Sequence, residues 1–473
     1  MKNTNDFEEL PSAQKIVLLE QYVAKLVESY KKNPLAVLQN LIAETTSTSF
    51  LNKAKNIGIF YPRFYDGGVE RVISLQIPMF LRLGFNIVLI TEESRPEFEF
   101  PLPAEVKRRS LAKKLKDGRA RELGKILLEE NVDVYIHHAA TSQTLIWDLV
   151  VAKFLKKKTI VCRHEIPGSN LLQGIQARRL QNILLEPLIY QLANRLVVLG
   201  KMEEEYFRSQ GVKATFIPNP RTFEFSNNPH NLLQPKKKII WVGRLDQTTK
   251  NYKSALEIMA LVLKQERNAE CHLIGPSSDP TSRDFIEEFI SNNELSGKLI
   301  WHGRCNNVEE FYKSATVHLM TSYVESFPMV IVESKSCGLP LVLFDLNHLT
   351  LLKDKKGFIS VSQDDIKNCT DAILRIIRTP ELEKKLSEEA FNSINSFYKN
   401  YKLEDLWSDI ILDKYTDFSP QSKEFSDFIK LQNRMIRIGL TNNTSKFSID
   451  KLRLGFSKNL LRVRLSLIHI SEP

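Results

Sequence analysis

Short apolar runs alternate with amphipathic stretches along the first half of the chain. The apolar runs predict six strands, at 55–64, 86–91, 132–138, 159–164, 195–200 and 214–219. Helical patterns separate most of these runs, and alternating strands and helices are typical of a parallel sheet covered on both faces. The pattern therefore predicts a doubly wound, Rossmann-like domain over 56–222.

A second series of the same kind follows an interruption. The stretch FEFSNNPHNLLQPKKK (223–238) is rich in Asn, Pro and Lys and predicts a linker. Further strands are predicted at 239–243, 270–275, 299–303, 316–322 and 341–345, which outline a second Rossmann-like domain over 239–380. Such domains bind ligands at the carboxyl ends of their strands. We therefore expect an α/β protein whose two domains face each other across a ligand-binding cleft.

The two ends of the chain lie outside this alternation. Residues 1–55 show helical spacing and predict a helical N-terminal extension, and 381–415 predict helices that cross back to the first domain. The tail 416–464 is polar and then basic, and its pattern assigns no structure. The last nine residues, LSLIHISEP (465–473), resemble a translated sequencing adaptor, so we expect the natural C-terminus to differ there.

Composition indicates a cytoplasmic protein. Hydrophobic residues make up 42% and charged residues 26% of the 473 residues, which is typical of a soluble globular chain. No run of apolar residues is long enough for a transmembrane helix, and the polar, acidic start lacks the features of a signal peptide. The five cysteines are scattered, which favours reduced thiols.

The net charge of +10 is unevenly distributed. Residues 101–200 contain 17 Lys and Arg against 9 Asp and Glu, and residues 431–464 contain 8 against 1. A basic excess suits a phosphorylated substrate or an acidic membrane surface, although an ordinary solvated surface accounts for it equally well. Since no nucleic-acid-binding motif occurs, we expect no nucleic acid partner.

Two segments suit a phosphorylated ligand. In FYDGGVERV, Gly67 and Gly68 lie between a strand and a helix, where backbone can approach a phosphate at the helix N-terminus. In WVGRLDQTTK, Arg244 and Lys250 follow the first strand of the second domain, and two cations there suit a diphosphate. A plain turn and a pair of surface cations are the alternatives.

Histidines mark the ends of two predicted strands in the first domain. His164 in VCRHEIPG ends one strand, and its side chain would face the cleft. Tyr135, His137 and His138 end another, and at least one of these histidines is expected only to pack. A single histidine is more often structural than catalytic, so this segment alone leaves the question open.

The segment ESFPMVIVE contains two carboxylates on either side of an apolar stretch. Pro328 fits the first turn of a helix, which puts Glu325 at or before the helix start and Glu333 about two turns on. Each carboxylate can accept two hydroxyl hydrogen bonds, so both could contact one sugar nucleotide. The residues of this segment that we expect to bind such a sugar nucleotide, the sugar donor, are Glu325, Ser326, Phe327, Pro328, Met329 and Glu333.

Taken in order, these segments resemble the retaining glycosyltransferases of family 4, which have the two-domain GT-B fold. The resemblance covers 56–415 and rests on Y-D-G-G-V-E-R, R-H-E, I-P-N-P, V-G-R-L…K, G-R…V-E-E-F-Y-K-S-A and E-S-F-P-M-V-I-V-E with K-S-C-G-L-P. It implies that Glu325 contacts the donor sugar and Glu333 the nucleotide ribose. It also implies that Arg244 and Lys250 bind the diphosphate.

The resemblance further implies the roles of the first domain's residues. His164 would lie beside the donor sugar and the reacting centre, as a catalytic residue together with Glu325, and Gly67 and Gly68 would lie near the donor phosphate and the acceptor. The sequence departs from the family's usual E-G-F-G, because Ser326 and Pro328 replace the glycines. Proline has no backbone N–H, so the departure makes the identity of the sugar uncertain.

The implied reaction moves a hexosyl unit from a nucleotide-diphosphate sugar, preferably a UDP-sugar, to an acceptor hydroxyl with retention. No metal and no further cofactor are expected, since cations and a helix N-terminus can stabilise the leaving diphosphate. The acceptor would be lipid-linked or a polysaccharide, in capsule-like polysaccharide or glycolipid synthesis, with the enzyme peripheral on the inner membrane face. The alternatives are a sugar-nucleotide epimerase of the same fold and a non-catalytic donor-binding scaffold.

Overall fold

The structure is a computed structural model of the 473-residue chain. It describes residues 7–44, 54–65, 67–167, 169, 185–223, 237–277, 280–305 and 307–414, and the backbone of the paired strands Ser448–Ser457 and Leu460–His469. The chain divides into two compact units. The first unit contains Met1–Pro220 and Leu403–Pro473, and the second contains Arg221–Lys402.

The first unit is built on a seven-stranded parallel sheet. Its strands are β1 Asn56–Phe60, β2 Asn86–Thr91, β3 Lys107–Ser110, β4 Val134–His137, β5 Lys158–Cys162, β6 Arg195–Val198 and β7 Ala214–Phe216. They lie in the order β3-β2-β1-β4-β5-β6-β7. The chain reverses its direction of travel across the sheet between β1 and β4, and ligands of doubly wound sheets bind beyond the carboxyl ends at that point.

The helices of the first unit connect these strands or precede and follow them. They are Ser12–Lys32, Pro34–Ala43, Gly68–Arg82, Arg119–Glu129, Leu145–Phe154, Lys201–Ser209 and Leu403–Ile411. The N-terminal helix approaches Arg119–Glu129 closely at Gly124, where an added Cβ would lie 2.6 Å from Leu19 Cδ2. Trp407 of the last helix is buried in the core of this unit and contacts Phe80, with ring centroids 5.2 Å apart.

The second unit repeats the architecture with a six-stranded parallel sheet. Its strands are β8 Lys238–Val242, β9 Glu270–Ile274, β10 Leu299–Trp301, β11 Val317–Met320, β12 Leu341–Phe344 and β13 Phe358–Val361. Its helices are Tyr252–Gln265, Pro280–Asn292, Val308–Ser314, Met329–Ser336, Ile366–Arg378 and Pro380–Asn400. The order β10-β9-β8-β11-β12-β13 puts the reversal between β8 and β11.

The predicted pair of doubly wound, Rossmann-like domains is confirmed. Helices occupy much of the predicted N-terminal extension, within residues 7–44. The long helix Pro380–Asn400 belongs to the second unit, and Leu403–Ile411 belongs to the first. Most of the predicted linker and much of the 416–464 tail lie outside the described residues. None of the described helices is both long and apolar enough to cross a bilayer.

A buried ion network crosses the first unit. The Arg119 guanidinium donates to both carboxylate oxygens of Asp148, at 2.7 and 2.6 Å, and to Glu92 at 2.5 Å. His137 is fully buried, and its Nε2 lies 3.1 Å from the same Asp148 carboxylate, so His137 has a structural role in this network. Burial alone would raise the pKa of Asp148, but hydrogen bonds from Arg119 and His137 outweigh it and hold that pKa below its usual range.

We expect Asp148→Asn to lower the free energy of unfolding by about 3 kcal/mol, because it leaves the buried Arg119 without its main counter-charge. A carboxylate with a lowered pKa stabilises the fold above its unfolded-state pKa and ceases to do so as pH falls through its folded-state pKa. The difference between the two proteins should therefore shrink below about pH 4. Urea unfolding of both proteins at pH 7 and pH 3, with the exposed Asp117→Asn as control, measures it. An unchanged free energy of unfolding at pH 7 would show that this ion network does not stabilise the fold.

Candidate active site

The loop after β8 contains the two predicted diphosphate-binding cations. Close packing of two glycines shapes this loop: the Gly243 N–H donates to the Ile274 carbonyl at 2.9 Å, and Gly275 follows directly. Gly275 has φ +142°, and an added Cβ would lie 1.9 Å from the Gly243 carbonyl oxygen. Beyond this contact, the Lys250 and Asn251 N–H groups both donate to the Asp246 carbonyl, at 3.0 and 2.9 Å. These bonds close the turn and place Lys250 just before the next helix.

Lys250 and Glu325 meet at the carboxyl edge of the second unit's sheet. Lys250 Nζ donates to Glu325 Oε1 at 2.5 Å, and the two side chains are 22% and 13% exposed. Lys250 belongs to the loop after β8 and Glu325 to the loop after β11. These are the neighbouring strands between which the chain reverses, which is where a doubly wound sheet binds its ligand.

Several buried hydrogen bonds fix this pair. The Thr321 hydroxyl donates toward the carbonyls of Lys250 and Asn251, both at 3.0 Å, and accepts a bond from the Trp241 indole. On the other side, His348 Nε2 lies 2.7 Å from the Glu325 carbonyl and therefore carries the proton of that ring. The Lys250 loop is thus bonded through Thr321 to Trp241 of β8, and the Glu325 loop to the loop after β12, so the ion pair is preorganised.

Glu333 lies deeper in the same unit. It is 4% exposed, and its Oε2 accepts a hydrogen bond from the Tyr312 hydroxyl at 2.9 Å. The helix begins at Met329, with Pro328 as the preceding cap residue. Glu333 is thus the fifth helical residue, little more than one turn in, and the predicted two turns were wrong because the helix starts later than expected.

The remaining predicted donor residues differ in exposure. Arg244 is 61% exposed, and its one ion pair among the described residues joins it to the Asp246 carboxylate at 3.7 Å rather than to Glu325. Phe327 and Pro328 are buried, whereas Ser326 and Met329 are partly exposed at the start of the helix. The structure brings Lys250 and Glu325 together and leaves Arg244 in solvent.

Gly67 and Gly68 lie at the start of the helix Gly68–Arg82. Gly67 is the cap residue, and an added Cβ would lie 2.0 Å from Oε2 of Glu70, a residue that is 1% exposed. Gly68 has open space around it. Glycine at 67 is therefore explained by the Glu70 carboxylate, which occupies the first turn where the sequence predicted a phosphate or acceptor contact.

His164 lies just beyond β5, which ends at Cys162, two residues before the predicted end. Its Nε2 lies 3.0 Å from His138 Nδ1, and the two rings stack with an 18° angle between planes. The buried Arg163 anchors the loop, because its guanidinium donates to the Glu165 carbonyl and the Glu186 carboxylate, both at 2.9 Å. Burial lowers the pKa of His164 to about 4, so the imidazole is neutral at pH 7.

The electrostatics of the second unit also favour neutral histidines. Burial, and then the charge of Lys250, lower the pKa of His318 to about 3. Burial lowers the pKa of His348 to about 4, although its bond to the Glu325 carbonyl opposes the shift. The positive charge beside Glu325 therefore comes from Lys250. Within the described residues, no three His, Cys, Asp or Glu side chains cluster as a metal site would require.

The sequence did not identify the residues whose side chains position the predicted site residues. Tyr312 lies within the quoted V-E-E-F-Y-K-S-A segment, but nothing in that segment shows that its hydroxyl reaches Glu333. His348 and Thr321 have no motif at all. His138 was noticed only as the end of a strand, and its pairing with His164 requires β4 and β5 to be neighbours.

If Glu333 binds the ribose of a sugar nucleotide, as the resemblance implies, Tyr312→Phe should raise the KM for that donor about five- to tenfold with little change in kcat. Phenylalanine removes one hydrogen-bond donor that orients the Glu333 carboxylate, and a binding contact made equally in ground and transition states affects KM. Steady-state kinetics with varied donor measures this. Tyr22→Phe, in the N-terminal extension, is the control. An unchanged KM would contradict the role of Glu333.

Two family models match consecutive parts of the chain. The one described as "Glycosyltransferase Family 4" matches residues 66–223, and the one described as "Glycosyl transferases group 1" matches residues 222–393. Together they span 66–393, which is well over half of the chain. The border between the two matches coincides closely with the division into two compact units at residues 220 and 221.

Curated relatives are similar over different lengths. A "Poly(glycerol-phosphate) alpha-glucosyltransferase" of Bacillus subtilis is 24% identical over 45% of this chain, but the match covers only 32% of that protein. A "UDP-Gal:alpha-D-GlcNAc-diphosphoundecaprenol alpha-1,3-galactosyltransferase" of Escherichia coli is 22% identical over 73% of this chain and 95% of its own length. Among solved structures, a mutant of S. aureus TarM in complex with UDP and other ligands has a TM-score of 0.63. It is 12% identical and covers 76% of this chain and 99% of that one, a likeness that shows the fold alone.

Proposed function

Because the chain belongs to the family 4 type of glycosyltransferases with the GT-B fold, we propose that it transfers a hexosyl unit from a UDP-sugar to an acceptor hydroxyl with retention. Membership rests on the two family models over 66–393 and on the GT-B structural relatives, and the predicted fold class is thereby confirmed. One observation supports the proposed chemistry above all others. The second unit places Lys250 against Glu325 at the sheet edge where its ligand should bind.

The Lys250–Glu325 pair suits both halves of a sugar nucleotide. An ammonium has three N–H donors, so Lys250 can bind a diphosphate while it keeps its bond to Glu325. Charge develops on the diphosphate as the glycosidic bond breaks, and a preorganised cation stabilises that charge with little rearrangement. The second Glu325 oxygen can accept hydrogen bonds from sugar hydroxyls. Arg244 is exposed in the same loop after β8, and its guanidinium is the second cation proposed for the diphosphate.

The deeply placed Glu333 suits the nucleoside half of the donor. Its carboxylate is oriented by the Tyr312 hydroxyl and lies one turn into the helix whose N-terminus begins at Met329. Ribose hydroxyls donate well to a carboxylate, and the first helical N–H groups favour an anion. Pro328, as the cap residue, contributes no N–H to such a site.

A lipid-linked acceptor is part of the proposal. The relative from Escherichia coli has a diphosphoundecaprenol acceptor in its name, and the relative from Bacillus subtilis acts on poly(glycerol-phosphate). Both of these acceptors are anionic, and an anionic acceptor agrees with the basic excess of residues 101–200. The product would belong to a cell-surface polysaccharide or glycolipid.

A screen of sugar nucleotides against lipid-diphosphate acceptors tests the function. We expect release of UDP that depends on the acceptor, and a product whose anomeric proton shows the same configuration as the donor. Conversion of the donor without any acceptor would favour the epimerase, and binding without turnover would favour the scaffold. Inversion at the anomeric carbon would contradict the retaining mechanism.

Membrane association is a separate expectation. Within residues 101–200, the structure pairs at least nine of the cations with carboxylates: Lys107, Arg108, Arg109, Lys113, Arg119, Arg121, Lys156, Lys158 and Arg163. Ion pairing reduces the charge that a membrane can attract, so we expect binding to anionic vesicles to be modest at 0.15 M salt and to weaken steeply as salt rises. Sedimentation with anionic and neutral vesicles measures it. Equal binding to both would contradict an electrostatic attachment.

A further inference from the structure

The contact between His138 and His164 limits where their protons can be. His138 Nδ1 and His164 Nε2 are 3.0 Å apart, so one nitrogen donates and the other accepts. Burial lowers the pKa of His138 well below its usual range, and the charge of a protonated His164 would lower it further. Since the pKa of His164 is also lowered, both rings are neutral and each carries one proton. Two arrangements of these protons are possible.

The surroundings of His138 Nε2 distinguish the two arrangements. This atom is buried and has no hydrogen-bond partner among the described residues. If His164 donated, the proton of His138 would sit on Nε2 as a buried N–H without an acceptor. If His138 donates from Nδ1, its Nε2 is only a lone pair without a donor. Buried N–H groups without partners are rarer and costlier than under-used acceptors, so the second arrangement is favoured.

We propose that His138 is a positioning residue: its Nδ1–H donates to His164 Nε2 and thereby fixes the proton of His164 on Nδ1. The backbone supports this role, because the His138 N–H donates to the Phe60 carbonyl at 2.9 Å and ties the end of β4 to the end of β1. That edge is where the first unit's sheet reverses. Within the described part of the chain, the only hydrogen bond to the His164 ring is the one to His138.

The consequence for the reaction depends on the proposed function. A His164 proton on Nδ1 makes this atom a hydrogen-bond donor, suited to a hydroxyl oxygen of the bound sugar. Its Nε2 lone pair is already occupied by His138, so His164 does not take the acceptor's proton as a general base. His164 would then bind and orient substrate as a neutral donor.

The second unit contains a matched pair that serves as a control. His272 Nδ1 lies 2.8 Å from His302 Nε2, and these rings also stack with an 18° angle between planes. His272 lies within β9 and His302 follows β10, and these strands are neighbours, as are β4 and β5, which precede His138 and His164. Neither His272 nor His302 contacts Lys250, Glu325 or Glu333 in any described hydrogen bond or ion pair.

Long-range ¹H–¹⁵N spectra of the histidine-labelled, full-length protein test the tautomer without any substrate. We expect the His164 ring to carry its proton on Nδ1 in the wild type and to become a mixture of tautomers in His138→Leu. A wild-type His164 with its proton on Nε2 would overturn the inference. Because this readout needs no turnover, it separates failure of the inference from failure of the proposed function.

Kinetics with two variants separate positioning from packing. The side-chain amide of His138→Asn can place an N–H near the position of Nδ1, whereas His138→Leu cannot. We expect His138→Leu to lower kcat/KM about five- to tenfold, and His138→Asn to keep most of the wild-type kcat/KM. His272→Leu should leave kcat/KM within about twofold of the wild type. Equal losses in Asn and Leu, or no loss in either, would overturn the positioning role.

Discussion

Replacement of Lys250 by alanine should lower kcat by about 10²- to 10³-fold while the protein stays folded. The loss of one preorganised donor to a developing negative charge typically costs this much in an enzyme active site. Lys250 is held 2.5 Å from Glu325 in a turn closed by backbone hydrogen bonds, so its position does not depend on the donor. Alanine also leaves the Glu325 carboxylate without its counter-charge.

Turnover of the full-length enzyme with saturating donor and acceptor measures the effect. Lys253→Ala is the matched control, because this exposed lysine lies three residues further along and contacts the Phe285 ring. We expect Lys253→Ala to stay within about twofold of the wild type. Wild-type turnover in Lys250→Ala would show that the diphosphate binds elsewhere.

Gly275→Ala should destabilise the second unit by at least about 4 kcal/mol, at the extreme end of single substitutions. The added Cβ would meet the Gly243 carbonyl oxygen at 1.9 Å, and neither backbone can move without breaking the β8–β9 edge. The φ of +142° is in addition unfavourable for any residue with a side chain. Since Gly243 leads into the loop that contains Arg244 and Lys250, activity should be lost as well.

Gly297→Ala separates the cost of the Cβ clash at Gly275 from the cost of a positive φ. Gly297 has φ +74° in the same unit, but nothing lies within 4 Å of its added Cβ. It should therefore cost only the strain of a left-handed residue, about 1–2 kcal/mol. Urea unfolding of the wild type, Gly275→Ala and Gly297→Ala compares the two costs. Similar unfolding midpoints for the two variants would show that the clash at residue 275 is relieved without cost.

The interior strands were predictable from the sequence, and so were the edge strands β7 and β10, but the edge strands β3 and β13 were not. Buried strands of a parallel sheet are continuous apolar runs, which is why β2 was placed at its observed bounds, 86–91. The strand Lys107–Ser110 has the sequence KRRS and is largely exposed, so no apolar run marks it. Phe358–Val361, at the edge of the other sheet, is likewise only partly buried. Edge strands are often charged or short, which removes the signal that sequence reasoning uses.

The candidate site was predictable only where its residues follow one another in a motif. Glu325, Glu333, Arg244 and Lys250 were found through ordered segments, but their roles remain predictions. The partners Tyr312 and His138 are brought to Glu333 and His164 by the folding of the sheets, from 21 and 26 residues away. Spacing along the chain cannot show which side chain supplies such a contact.

Calorimetric titration of UDP into the full-length protein tests whether a nucleoside diphosphate binds at the sheet edge marked by Lys250 and Glu325. This measurement needs neither the sugar nor the acceptor to be known. We predict that Lys250→Ala weakens the binding of UDP at least about tenfold, and that Lys253→Ala leaves it unchanged. Equal affinity of UDP for Lys250→Ala and the wild type would contradict the binding of a nucleoside diphosphate at this edge.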